Sequence, residues 1–175
     1  HQYHLFTPKN DPLPQMSIML QELYALECTF APNEGLKQKT WRTKGIIKDI
    51  VREGVQIYHG LSHELPLGIE KTNVKTVVTI HDLIFKHYPN YYPFFDRVIY
   101  DLKFKSSCQR ANKIIAISEQ TKRDIIKFYQ IPEDKIQVIY QDCASEFRTL
   151  ADEEQKSFIR KQYQLPEQFI LNVGT

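Results

Sequence analysis

Short apolar runs rich in β-branched residues alternate along this chain with stretches of helical period. The runs are Tyr3–Thr7, Val55–Tyr58, Thr76–Ile80, Lys113–Ile117, Ile136–Tyr140 and Phe169–Val173. They are nearly continuous in Val, Ile and Leu rather than alternating, which is the pattern of strands covered on both faces in a parallel sheet. Between them, Ile46, Ile47, Ile50 and Val51 form one stripe, and Phe95, Val98, Ile99 and Leu102 fall at i, i+3, i+4 and i+7. Ile125, Phe128 and Tyr129, then Phe158, Ile159 and Tyr163, repeat the spacing. After the prolines at 8, 12 and 14, Met16, Met19, Leu20, Leu23 and Tyr24 predict one more amphipathic helix, whose methionines read as core packing. Ser118 stands where a helix N-cap belongs, and Pro132 where a helix must stop. The alternation predicts an α/β fold with five or six strands in a mostly parallel sheet and helices on both faces, as one domain over residues 1–175.

Composition then removes whole classes of function. Apolar residues at 42% and charged residues at 25% are those of a folded globular chain and argue against disorder. A formal net charge of +2 gives no electrostatic footprint for nucleic acid or for an anionic membrane. No apolar run approaches the ~20 residues of a membrane span, and no N-terminal signal pattern is visible. Three cysteines, at 28, 108 and 143, cannot all pair and include no C-x-x-C, so they read as reduced thiols of a cytoplasmic protein, with Cys143 a small buried group.

In an open parallel sheet, ligands bind beyond the carboxyl ends of the strands. The residues that follow the apolar runs are His59, Gly60, Leu61 and Ser62; His81 and Asp82; Ser118 and Glu119; Gln141, Asp142 and Cys143; and Gly174 and Thr175. A parallel sheet would gather them on one rim, with His59, His81, Ser118, Asp142 and Gly174 as its markers. Several have plain structural readings: Ser118 as an N-cap, Glu119 as a partner of the helix dipole. Two imidazoles at neighbouring strand ends are harder to explain by packing alone. The histidines show no metal-ligand spacing, and G-x-S-x-G, G-x-x-x-x-G-K-[ST] and G-x-G are all missing. A free-standing dinucleotide-binding domain needs that last turn.

Six blocks occur in a telling order: Y-H-G-L-S-H-E-L-P (Tyr58–Pro66), V-V-T-I-H-D-L-I-F (Val77–Phe85), the Tyr88-Pro89 pair, A-N-K-I-I-A-I-S-E-Q-T-K-R-D-I (Ala111–Ile125), K-I-Q-V-I-Y (Lys135–Tyr140) and F-I-L-N-V-G-T (Phe169–Thr175). Together, over roughly residues 41–175, they resemble the N-terminal, acceptor-side half of a retaining glycosyltransferase of the GT-B type, group 1 or family 4. The resemblance implies a Rossmann-like half of a two-domain enzyme, here lacking its first strand and ending where a donor-binding domain should begin. It implies a catalytic role for His81 at the cleft, acceptor binding by His59, Gly60, Ser62 and Asp82, and a donor-side position for Ser118, Gly174 and Thr175. No metal or other cofactor is implied, because in this class a helix N-terminus and basic side chains handle the phosphate charge.

The full-length enzyme is then expected to transfer a hexose-like sugar, with retention, from a nucleoside-diphosphate sugar to a polysaccharide or lipid-linked glycan, while this segment alone would not turn over. Nucleic acid is not expected as a partner. Peripheral membrane contact is compatible with the resemblance, although Lys103, Lys105 and Arg110 beside Tyr100 and Phe104 read as a solvated helix face. An unpaired sheet edge left by the missing strand is a route to self-association. Two other readings stand beside this one: a non-catalytic carbohydrate- or partner-binding Rossmann-like module, and a sugar-nucleotide epimerase, which the missing glycines disfavour.

Overall fold

The fold was analysed from a computed structural model, which describes residues 3–7, 27–30, 40–143, 148 and 150–172. The helix expected over Met16–Tyr24, and Val173, Gly174 and Thr175, lie outside the described residues. Contacts divide the chain into two compact units, His1–Tyr140 and Gln141–Thr175.

The first unit is α/β with parallel strands throughout. Strands β1 (His4–Thr7) and β2 (Glu27–Phe30) pair in parallel, His4 level with Glu27. A π-helical turn over Trp41–Gly45 leads into α1 (Ile46–Arg52). Then follow β3 (Ile57–Gly60), β4 (Lys75–Ile80), the short α2 (Ile84–His87), α3 (Phe94–Arg110), β5 (Lys113–Ala116), α4 (Glu119–Tyr129) and β6 (Ile136–Val138). Strands β3 to β6 form one sheet in chain order, every pair parallel. Parallel neighbours need crossovers, and α3 and α4 supply two of them.

The apolar runs bury as their composition requires. Val78 and Ile80 of β4, Ile114 and Ala116 of β5, Ile50 of α1 and Ile125 of α4 are wholly buried and share one core with Trp41, Leu83 and Phe85. Thr76 is buried too, and its demand for partners is met sideways: its N–H and Oγ1 both meet Asn112 Oδ1, at 2.8 and 3.1 Å. Cys108 lies in the same core, where burial pushes its thiol up to about 12. Helix α4 begins at Ser118, whose Oγ accepts from Thr121 N at 3.0 Å, and ends at Gln130 in the left-handed region.

The structure corrects several expectations. The second apolar run forms its strand two residues later than predicted, at Ile57–Gly60, which puts His59 inside β3 rather than after it. Residues 169–172 form no strand, and β2 was not predicted. Among the described residues, the sheet that carries the rim has four strands, and β1 and β2 make a separate pair. Cys143 is exposed, not buried. Phe104 and Arg110 do not sit on a solvated face: the Phe104 ring stacks on His63, and the Arg110 guanidinium donates to Pro66 O and Leu65 O.

The second unit carries α5 (Glu153–Gln162), opened by Asp152, whose carboxylate accepts from Gln155 N at 2.8 Å. Its apolar side chains Phe158, Ile159, Leu165 and Phe169 line an open groove within this unit. Asp142, predicted for the rim, belongs to this unit.

Candidate functional site

Gly60 of β3 pairs with Val78 of β4, and Ile80 of β4 with Ala116 of β5. With all strands parallel, the chain leaves Gly60, Ile80 and Ala116 along one edge of the sheet. Ser62, His81, Asp82 and Ser118 therefore start from the same rim, with His59 one residue inside it.

Each of these side chains has a definite anchor. His59 Nε2 lies 2.8 Å from Thr79 Oγ1 on the neighbouring strand, and burial pushes its pKa down, so the ring is neutral at pH 7. His81 Nε2 lies 2.9 Å from the carbonyl oxygen of Leu61. A carbonyl can only accept, so Nε2 carries a proton. The backbone beside it is held as well, since Thr121 Oγ1 donates to His81 O at 2.9 Å. His81 is thus tied on one side to the turn after β3 and on the other to the first turn of α4. The Asp82 carboxylate accepts from Ile84 N at 3.0 Å and opens α2. The Ser118 hydroxyl caps α4 and also meets Thr121 Oγ1 at 2.9 Å.

The turn after β3 is held rigidly. A Cβ at position 60 would come 2.1 Å from Glu64 O and 3.1 Å from Leu65 Cδ2, so only glycine lets the chain double back there. His63 N donates to Thr79 O at 2.9 Å, Leu65 N to Ser107 Oγ at 3.0 Å, and Glu64 pairs with Lys103 at 2.8 Å. His63 adopts φ 60°, which turns its ring onto Phe104 at 4.2 Å and to within 5.1 Å of the His81 ring.

A cavity of about 290 Å³ opens between this turn, β1 and the π-helical turn. His59, Gly60 and Ser62 line it, so three of the predicted acceptor residues meet in one place. His81 and Asp82 are not among its lining residues. Tyr58, Trp41, Arg42 and Glu64 also line it and were not singled out from the sequence. Aromatic faces beside a guanidinium, a carboxylate, a hydroxyl and a neutral imidazole suit a ligand that presents C–H faces and many hydroxyl groups. Trp41 is buried against the core behind this space, and its indole N–H donates to Asp49 Oδ2 at 2.8 Å. The signal for Tyr58, His63 and Glu64 was their place inside Y-H-G-L-S-H-E-L-P; for Trp41 it was being the sole tryptophan. Among the described residues, no group of three or more His, Cys, Asp or Glu is arranged to hold a metal ion.

A parallel α/β sheet with a polar rim at its carboxyl edge serves many functions, and the comparisons with known proteins narrow the class. The family model for glycosyltransferase family 4 matches residues 1–141, and the chain belongs to that family, as a GT-B type N-terminal domain. It is 31% identical over 121 residues to O-antigen chain mannosyltransferase B of Escherichia coli, covering 68% of this chain and 30% of that protein. It is 26% identical over 124 residues to the serotype-specific mannosyltransferase WbdA of Escherichia coli, covering 66% of this chain and 14% of that one. The crystal structure of a glycosyltransferase from Rickettsia africae ESF-5 superposes with a TM-score of 0.50 at 15% identity, over 95% of this chain and 51% of that chain. The chain thus spans less than a third of the length of these two mannosyltransferases.

Proposed function

We propose that this chain is the acceptor-binding part of a retaining hexosyltransferase, which moves a sugar from a nucleoside diphosphate onto a growing polysaccharide or lipid-linked glycan. The observation that carries this reading is the cavity beside β3, where Tyr58, Trp41, Arg42, His59, Ser62 and Glu64 surround one space at the edge of the sheet. Mannose is the sugar suggested by the names of the two Escherichia coli relatives. In the transfer, the bond from the sugar's anomeric carbon to phosphate breaks, a bond to an acceptor hydroxyl forms, and the hydroxyl proton leaves with the phosphate. His81 has the part of holding the transferred sugar: its Nε2–H is fixed on Leu61 O, which sets the orientation of the imidazole at the rim. Partial desolvation lowers the His59 pKa, and the ring belongs to the acceptor side. The expected partners are a nucleotide-sugar donor and a glycan or lipid-linked acceptor, and metal ions have no part in the proposed chemistry.

Arg42 and Ser62 are exposed at the cavity, so their removal should leave the fold intact. In the full-length enzyme, the Arg42→Ala/Ser62→Ala variant should raise the acceptor KM by about 10-fold or more, with the donor KM unchanged, since one lost hydrogen bond to a charged group is worth about 1.5–3 kcal/mol. An unchanged acceptor KM, or an equal rise in both, would remove the cavity from the acceptor site.

A further inference from the structure

The cavity beside β3 has a one-sided hydrogen-bond balance. Two of its polar side chains are already engaged: His59 Nε2 on Thr79 Oγ1, and the Glu64 carboxylate on Lys103 at 2.8 Å. Among the described residues, the Arg42 guanidinium, the Ser62 hydroxyl and the half-buried Tyr58 phenol have no hydrogen-bond or ion-pair partner, and all three line the same space. A guanidinium can only donate, and both hydroxyls can donate as well. Arg42 also differs from other arginines of the chain. Arg52 is paired with Asp49 and Glu53, Arg110 with Glu70 and Arg148 with Asp142, whereas the carboxylate that shares the cavity with Arg42 is answered by Lys103 instead. An unpaired cation is ordinary on open surface, but this one is mounted rigidly. Trp41 before it is buried and tied to Asp49, and Thr43 after it accepts from Leu67 N at 2.7 Å. Its charge is felt inside the cavity: burial pushes the Tyr58 pKa up, and Arg42 pulls it part of the way back.

We propose that the acceptor glycan carries an acid group, a carboxylate or a phosphate, which Arg42 and the Ser62 hydroxyl hold in this cavity while the sugar that bears it lies against Tyr58. The proposal rests on the reading of the cavity as the acceptor site and adds a negative charge to the substrate class. With Glu64 offset by Lys103, the unanswered charge in the lining is the positive one of Arg42. An anion cancels it, and a neutral sugar leaves it as it was. A guanidinium offers two parallel N–H groups at the spacing of two oxygens of one acid group, so it recognises an oxyanion by shape as well as by charge. The hydroxyls of Ser62 and Tyr58 add donors for the remaining oxygens, and the aromatic ring supplies the face on which a sugar's C–H groups pack.

The test titrates the full-length enzyme with three probes built on one sugar: methyl mannoside, its uronic acid and its phosphate monoester. Binding is followed by NMR with saturating nucleoside diphosphate, which keeps the phosphate probe out of the donor site. At least one acid probe should bind about 10-fold or more tightly than methyl mannoside, the ratio expected of one hydrogen-bonded contact between charged groups. That advantage should vanish in Arg42→Gln and shrink with added salt. Arg42→Lys, which keeps the charge and loses the planar fork, should retain part of it. Preference for the uronic acid would place the acid group within a polysaccharide acceptor, and preference for the phosphate ester would place it in a lipid-linked one. Acid probes that bind no more tightly than the neutral one, or not at all, would overturn the proposal, as would a preference that Arg42→Gln leaves intact. An equal loss of all three probes in Arg42→Gln would also overturn it while keeping the cavity as the acceptor site. Binding of all three that is indifferent to Arg42→Gln and to Ser62→Ala would strike both readings.

Discussion

His63 shows how one residue's backbone and burial set a property of the whole chain. Its left-handed φ of 60° lays the imidazole flat on Phe104, 5.1 Å from His81, and its Nδ1 is buried without a hydrogen-bond partner among the described residues. Burial pushes the His63 pKa down, the His81 ring adds to this, and Asp82 and Glu64 oppose it weakly. Burial alone lowers His59. In the unfolded chain both return to about 6.5. Between that value and the lower folded ones, the unfolded state binds more protons, so stability is fully present above about pH 6.5 and declines as pH falls through the folded pKa values. Urea midpoints at pH 7.5 and 5.5 should show this loss, and His63→Asn, which keeps a residue tolerant of the left-handed region, should show less of it. An equal loss in both would mean that His63 keeps its ordinary pKa. The sequence disclosed His59 and His81 as residues near the carboxyl ends of adjacent strands, because parallel pairing places both towards one edge, although His59 lies within β3 and not after it. It did not disclose His63, since neither its φ nor its stacking on a residue 41 positions away leaves a local trace.

At the scale of elements, helices and strands were legible wherever periodicity ran long enough, and their orientation was legible only where burial followed it. Strand β4 and helix α4 fall close to where their apolar residues place them, and Ser118 caps α4 as its type and position predict. Strand β2 reads Glu-Cys-Thr-Phe, so no β-branched apolar run marks it in the sequence. Helix α3 was recognised by a stripe that turns out to face solvent, because periodicity reports that a helix has two faces and not which neighbour covers each. The end of β3 was misplaced by two residues because the apolar run stops at Tyr58, whereas the strand continues through His59 to Gly60. Its role is the close approach of Glu64 O, which is fixed in turn by Leu65 N on Ser107 Oγ. Gly60→Ala should therefore cost about 3 kcal/mol or prevent folding. Gly54→Ala, with φ 64° but nothing within 4 Å, should cost only its backbone strain, about 1 kcal/mol. Denaturation midpoints of the two variants check the difference, and a Gly60→Ala protein as stable as Gly54→Ala would show that the turn can open.

The whole molecule places its chemistry by topology. Four parallel strands in chain order bring the residues after β3, β4 and β5 to one edge, and membership of glycosyltransferase family 4 is why that edge is proposed as the sugar site. The account rests most heavily on His81, which the turn after β3 and the start of α4 hold from two sides. The most direct test compares kcat, donor Kd and Tm for the full-length enzyme and its His81→Ala variant. If His81 positions the transferred sugar, kcat should fall by about 10²–10³ while donor Kd and Tm change little, the magnitude seen when one preorganised polar contact to the transition state is removed. A folded His81→Ala enzyme with near-normal kcat and a lowered Tm would contradict this and leave His81 as the pin between β3 and α4.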